Sequence, residues 1–323
     1  MIETARPTSA RAALIKSASQ QSRSLWYDSW RRLLRNKAAV TAMAVIAIFG
    51  LLALLAPLIA PYDYATQDLD HITDPPDLDH IMGTDQLGRD VFTRLLYGAR
   101  ISFVVALAAQ FVIIGLGVPL GLISGYFGGR IDMAITRLID ILYAFPNLLL
   151  TILIISYLRA NLSAAVADTA SFWVWSQLDK SSGGLIAIFI VMALTYWIGV
   201  ARIVRGQVLS LKEREFIESA RAVGLSSARI LRVHLLPNIL APVIVAAAFG
   251  IPGAIMLEAG LSYLGLGIQP PLPSWGGMIS AGLPVMRSFP HLIIFPACAL
   301  GILLLAFTYL GDGLRDAFDP LME

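Results

Sequence analysis

Charge is what this chain has least of. Of its 323 residues only 14% are Asp, Glu, Lys or Arg, against roughly a quarter in soluble domains, too few to cover the surface of a water-soluble fold of this size. Cysteine is nearly absent: Cys298 stands alone in an apolar run, so an intrachain disulfide is excluded. Lysine is limited to Lys16, Lys37, Lys180 and Lys212, and none of them follows a glycine. The G-x-x-x-x-G-K-[ST] loop that cradles nucleotide phosphates is therefore missing, and the chain cannot be its own ATP-driven motor. The H-E-x-x-H pattern of a zinc protease is missing too. No apolar run alternates with period two, as the strands of a membrane barrel would.

What is present is long apolar sequence. Hydrophobic residues make up 57% of the chain and the mean hydropathy is +0.72. A bilayer core about 30 Å thick needs about 20 apolar residues in a helix. Stretches free of Asp, Glu, Lys, Arg and His that meet this run from Ala38 to Tyr62, Ile101 to Gly129, Ile141 to Leu158, Ser181 to Ala201, Leu235 to Leu257 and Leu292 to Gly311. The expected fold class is all-α, a polytopic membrane protein with six transmembrane helices. The first run is too long for the apolar region of a cleaved signal peptide, so it reads as a membrane helix that stays.

Direction follows from the basic residues. With the N-terminus inside, segments 1–37, 130–140, 202–234 and 312–323 hold 18 Lys and Arg, and the outer segments hold 6. Positive charge marks the cytoplasmic side, so both termini are expected in the cytoplasm. Residues 1–24 are polar and aperiodic and read as a disordered tail. The outer stretch from Pro61 to Arg100 is acidic, with eight Asp against three Arg. Segment 159–180 carries Trp173 and Trp175 and reads as a short interfacial helix.

Within the spans, Gly117, Gly121 and Gly125 repeat every fourth residue, a pattern that lets helix backbones approach closely. The fifth span carries Pro242, Gly250, Pro252 and Gly253 and is expected to bend or partly break. Glu258 ends that span. It is either a functional acid or a residue at the outer interface.

The cytoplasmic stretch from Lys212 to Pro237 is organised differently. Phe216, Ala220 and Val223 share one helical face. Gly224 is placed to end that helix in a left-handed cap, Ser226 to start a second helix over Arg229 to Leu235, and Pro237 to close the unit or open the next span. Two short helices at an angle, held by the fourth and fifth spans, could be pushed by a partner or could lie on anionic lipid.

This stretch resembles the EAA motif of the membrane subunits of bacterial ABC importers: Glu218-Ser219-Ala220, three residues, Gly224, nine residues, then His234, Leu235, Leu236 and Pro237. Ser219 replaces the middle Ala of the motif and His234 its Ile. Two outer segments are similar to signatures of dipeptide and oligopeptide permease "C" subunits. One contains Gly83, Thr84, Asp85, Gly88, Arg89 and Asp90, extended by Arg94, Gly98 and Arg100. The other contains Gly265 and Gly267, followed by Pro271, Ser274 and Trp275.

The resemblance covers residues 25 to 323 and implies a type I ABC importer transmembrane architecture in a bacterial inner membrane. Residues 25–100 would supply an N-terminal membrane helix and outer loop, and 101–323 a five-helix core with an ATPase-docking loop at 202–238. It further implies a homologous second permease, two partner subunits that bind ATP and Mg, an external substrate-binding protein, and no nucleic-acid partner, metal or cofactor in this chain. The cargo would be dipeptides or oligopeptides. Nickel or another small solute is the alternative within the family, and a gradient-driven secondary transporter the alternative outside it. The stretch 161–184 is longer than the family pattern. The pairs Asp68-Leu-Asp-His71 and Asp77-Leu-Asp-His80 place potential metal ligands together, or simply form a solvated acidic loop.

Overall fold

A computed structural model of the chain describes residues 25–164, 179 and 182–319. The expected tail at 1–24 and most of the expected interfacial helix at 159–180 lie outside the described residues.

A short amphipathic helix, α1 (Leu25–Arg35), precedes the first span. It exposes Trp26, Tyr27 and Trp30 and packs Leu33 against Ala39 and Ala317. Asn36 separates it from α2 (Lys37–Ile59), where its side-chain oxygen accepts the Ala38 and Ala39 N–H groups at 3.1 and 3.2 Å, satisfying two of the free donors that every helix start leaves. An ordered loop then leads to α3 (Val91–Phe127), which begins ten residues before the predicted span because Asp90 caps it, accepting the Thr93 N–H at 2.7 Å.

The third span is not one straight helix. α4 (Gly129–Tyr143) and α5 (Asn147–Ala164) meet at 88° across Ala144–Pro146. Proline disfavours helical geometry in the residue before it, and the stretch before the break carries Arg130, Asp132, Arg137 and Asp140. The charged residues thus lie in α4, and the two helices reach a span's apolar length only together.

The fourth span is α6 (Leu185–Thr195) continued through Tyr196 as α7 (Trp197–Leu211). It reaches ten residues beyond its predicted end. Next come α8 (Glu215–Ala222), α9 (Ser227–Arg229) and α10 (Leu236–Tyr263), with a π-helical turn at Ile230–Leu235 joining the last two. α10 passes Pro242 and Pro252 without the expected break, since backbone groups freed by proline in a membrane helix are re-satisfied locally. α11 (Trp275–Gly282) lies at the end of α10 away from the α8 loop, and α12 (His291–Phe318) follows. Among the described residues five helical stretches are long and apolar enough to cross a membrane, and the bent α4–α5 pair is a sixth if the two form one span.

Two cores share α3 and α10. The larger joins α3, α5, α6, α7, α8, the π turn and α10 through residues such as Val105, Ile155, Val204, Ile217, Leu235 and Ile239. The other joins α2, α3, α10, α11 and α12 around Trp275, Ile255 and Leu303. The glycine repeat sets the tightest contact. A side chain at Gly117, Gly121 or Gly125 would stand within 2.8 Å of α7, against Val200, Ala201, Val204 or Val208. Bare glycines on one helix thus seat a valine row on the other, and backbone proximity substitutes for the hydrophobic drive that lipid cannot supply.

Candidate functional site

The loop between α7 and α10 is built around a left-handed residue. Gly224 has φ +80°, donating its N–H to the Arg221 carbonyl at 2.9 Å, while the Leu225 N–H reaches back to Ala220 at 3.1 Å. Only glycine adopts this conformation without strain. The predicted cap is therefore present, but the predicted face is not the buried one. Ile217 (0% exposed) and Ala220 point into the larger core, whereas Phe216 and Val223 (81% exposed) face outward beside Glu218 and Ser219. The helix spacing was legible, but which of two overlapping apolar faces turned inward was not, because Ile217 belongs to one and Phe216 to the other.

The second predicted helix is not separate either. Ser226 starts it through its backbone carbonyl, which accepts the Arg229 and Ile230 N–H groups at 2.9 and 3.0 Å, with no side-chain cap. It then flows through the π turn into α10, and the Leu236 N–H bonds the Leu231 carbonyl five residues back. Widening the helix there accommodates Pro237, which has no N–H and would crowd the carbonyl four residues earlier. His234 and Leu236 are half-buried on this turn, and the His234 carbonyl accepts the Asn238 side-chain amide at 2.6 Å. α8 is thus joined through the π turn to α10, and Ile217 packs it into the larger core.

Polar contacts tie the same end to α3 and α4. The Arg221 guanidinium stacks over Tyr126 at 5.3 Å. Arg205 of α7 forms a two-pronged pair with Asp132 of α4 at 2.6 and 2.7 Å, and Ser124 of α3 also donates to Asp132. Arg202 pairs with Asp140 at 3.3 Å and lies over Tyr143. None of these anchors was singled out from the sequence.

At the opposite end, the two outer signatures close on each other. Asp85 accepts the Leu87 and Arg89 N–H groups and pairs with the Arg89 side chain at 2.7 Å. Thr84 is buried and its N–H bonds the Asp74 carbonyl, while its hydroxyl accepts the Asp74 N–H at 2.9 Å. Gly83 and Gly88 both have positive φ, and a side chain at either would strike the backbone of Asp74 or Asp68. Asp90, besides capping α3, holds buried His80 at 2.9 Å.

Arg94 then spans the gap, bonding the carbonyls of Tyr64 at 3.0 Å and Pro271 at 3.5 Å. Trp275 completes the junction: its indole N–H donates to the Leu95 carbonyl at 3.0 Å, and its ring fills the space left by Gly98. Ser274 caps α11 through the Gly277 N–H. Gly265 turns the chain after α10 at φ +76°, and Gly267 lies against Ser262, its carbonyl accepting Arg159 from α5.

Glu258 is placed by this junction rather than by the outer interface. It is fully buried near the outer end of α10, accepting the Ser262 hydroxyl at 2.7 Å through Oε1, and Oε2 has no hydrogen-bond partner. In the acidic loop, His71 is bonded to Asp68 at 2.9 Å, which raises the imidazole pKa above its ordinary 6.5 and lowers that of the carboxyl. His71 and His80 therefore answer to different carboxylates, and among the described residues no three potential ligands gather for a metal.

Between the two ends, α3, α7, α10 and the end of α12 line an open cavity of about 970 Å³. Gln110, Tyr196, Gln207, Phe249, Gly250 and Arg315 are among its lining residues. Gln110 is 6% exposed and neither atom of its amide has a hydrogen-bond partner. A buried polar group left unpaired costs roughly 1–3 kcal/mol, so this residue stands out among the apolar lining. The sequence held the signal, an amide in the second apolar run, but a search for ionisable residues passes over it.

Comparison with known proteins agrees with this arrangement. The family of binding-protein-dependent transport system inner membrane components matches residues 117–323, and the N-terminal TM domain of oligopeptide transport permease C matches residues 24–76. The oligopeptide transport system permease protein OppC of Bacillus subtilis is 41% identical over 317 residues, 98% of this chain and 96% of the relative. The dipeptide transport system permease protein DppC of Alkalihalophilus pseudofirmus is 40% identical over 92% of this chain and 90% of its own length. The glutathione transport system permease protein GsiD of Escherichia coli is 39% identical over 94% and 93%. Among solved structures, the MetNI methionine ABC transporter in an inward-facing conformation superposes with a TM-score of 0.53 at 18% identity, over 69% of this chain and 96% of the other, a likeness of fold. A helical chain with these apolar spans, a helical loop continuous with one of them and this full-length similarity belongs to the binding-protein-dependent transport system inner membrane components, the multi-pass permease subunits of ABC importers.

Proposed function

We propose that this chain carries dipeptides or oligopeptides inward as one of two homologous permeases, served by two ATP-binding subunits and an external substrate-binding protein. The names of its full-length relatives support a peptide cargo. The excess of basic residues in the loop between α7 and α10 and in the N-terminal segment supports a cytoplasmic position for the loop and both termini. One observation carries the mechanism. The loop turns Phe216, Glu218, Ser219 and Val223 outward while Ile217, Ala220, Ile230 and Leu235 sit in the core of the spans.

An ATP-binding subunit grips the exposed face of this loop. When the two ATP-binding subunits close on ATP and Mg, the loop is displaced, and the displacement passes through the π turn to α10 and through Ile217 to α3 and α7. Access to the cavity then alternates between the two sides. The outer clasp of Asp85, Arg94 and Trp275 holds the far ends of α3 and α10 together and gives the binding protein a fixed surface on which to release cargo. This chain breaks no covalent bond.

Gentle purification of the tagged chain from its native membrane, followed by mass spectrometry, tests the assembly. The expected result is recovery of a second permease and P-loop ATPases. Recovery of the chain alone after crosslinking, with uptake driven by an ion gradient, would replace this reading with a secondary transporter.

A further inference from the structure

The cavity has a mostly apolar lining with one unmet demand at the end away from the α8 loop. Gln110 lies midway along α3, and both its amide donor and its amide acceptor are buried and unpaired. Gly250 of α10 stands directly over it: a Cβ there would come within 2.6 Å of Nε2 and 2.9 Å of Oε1. Ile113, Val245 and Phe249 supply apolar surroundings. Towards the loop-bearing end the lining gains Gln207 and Arg315, so the cavity leads from the buried amide to the side on which α8 projects.

A side-chain amide offers one carbonyl and one N–H₂ group in a plane, the complement of a peptide bond, which offers one N–H and one C=O. Recognition of this kind ignores side-chain identity and charge, which suits a path that must pass many sequences. A metal cation would call for carboxylates, imidazoles or thiolates, and a fixed ionic charge for a counter-charge; neither stands at this end of the cavity. A hydrogen-bonding station is useful to a moving cargo only if it is not permanently satisfied by the protein, which is the state of Gln110.

We infer that Gln110 is a cargo-contacting residue of the path, hydrogen-bonding the peptide backbone when α10 moves off α3 and withdrawn beneath Gly250 in the conformation described here. The inference rests on the peptide-importer reading and adds the group recognised and the residue that recognises it.

The test uses the complete transporter in proteoliposomes, with trialanine and its depsipeptide analogue, in which one backbone N–H is replaced by an ester oxygen. Binding of both to the isolated binding protein is measured first, so that uptake is compared at equal occupancy. Wild type is expected to favour the amide about tenfold, the scale of one hydrogen bond lost against a buried partner. Gln110→Met, close in shape and unable to pair, should lower trialanine uptake more than about tenfold and ester uptake less, because the ester carbonyl still accepts the Gln110 N–H in wild type, and so abolish the preference, while membrane yield stays at the wild-type level. Gln110→Glu keeps an acceptor and should retain part of the preference. A Gln110→Met transporter that keeps the preference overturns the inference. So does one that loses both cargoes equally, which would mean that the amide serves a partner chain or water. Wild type that takes up neither cargo overturns the importer reading itself.

Discussion

Trp275 and His71 show what single side chains do at the outer end. The indole of Trp275 is 1% exposed, donates to Leu95 and packs edge-on against Phe49 at 6.0 Å, so it joins α2, α3 and α11 in one contact. Truncating a buried aromatic of this kind costs about 3–5 kcal/mol. Trp275→Ala is accordingly expected to lower the thermal unfolding midpoint of the detergent-solubilised protein, and Gly98→Val to do the same by occupying the space of the ring. An unchanged midpoint in both would remove Trp275 from its place as the keystone. His71 is exposed and gains its proton affinity from Asp68. Because its pKa is raised, the pair's contribution is complete below about 6.5 and lost as pH rises through the shifted value. In Asp68→Asn the imidazole, followed by NMR, should titrate at a lower pH than in wild type. The sequence marked Trp275, Gly98, Asp85 and Arg94 as parts of two signatures, yet it could not pair them, because residues about 180 positions apart carry no local sign of contact.

The seam between α3 and α7 was better announced. Period-four glycines predict a close approach wherever lipid surrounds a helix, and the structure supplies the missing partner, the valine row at 200, 204 and 208. Selectivity within the helix makes this testable. Gly115 has nothing within 4 Å of a would-be side chain, whereas Gly121 would meet the Ala201 carbonyl at 2.6 Å. Gly115→Ala should be neutral or slightly stabilising, since alanine favours the helix, and Gly121→Val should destabilise by about 1–3 kcal/mol as an overpacked contact. Equal effects at the two positions, measured by thermal unfolding, would show that intrinsic helix preference rather than packing governs the seam. Elsewhere the elements departed from the apolar runs for identifiable reasons. The third run hid the break at Pro146 because the stretch Ile141 to Leu158 remains free of charge across it. The fourth run stopped early at Arg202 because hydropathy ends at a charge, but the helix continues where Arg202 and Arg205 find Asp140 and Asp132. In α8 the difference between Ile217 inward and Phe216 outward was settled by tertiary packing, which no single-helix pattern contains.

The two ends of the molecule are related through α3 and α10, the helices common to both cores. One end carries a rigid loop whose turn depends on Gly224, and the other a clasp whose fit depends on Trp275. The all-helical, multi-span character of the chain and its family were legible, because hydropathy and a spaced motif are properties of sequence alone. The cavity and its unpaired amide were not, because they arise from helices brought together. If the loop is the part that receives the ATPase stroke, its shape must matter more to coupling than to folding. Gly224 has open space around it and φ +80°, so a β-branched residue there meets no clash but must strain the turn, at about 1–3 kcal/mol for a left-handed non-glycine. The decisive measurement is peptide uptake per ATP hydrolysed in proteoliposomes holding the complete transporter with Gly224→Val. Membrane insertion and basal hydrolysis should persist while uptake falls at least about fivefold, the lower end of what that strain allows. Wild-type uptake per ATP in this variant would contradict the assignment of the loop as the coupling element.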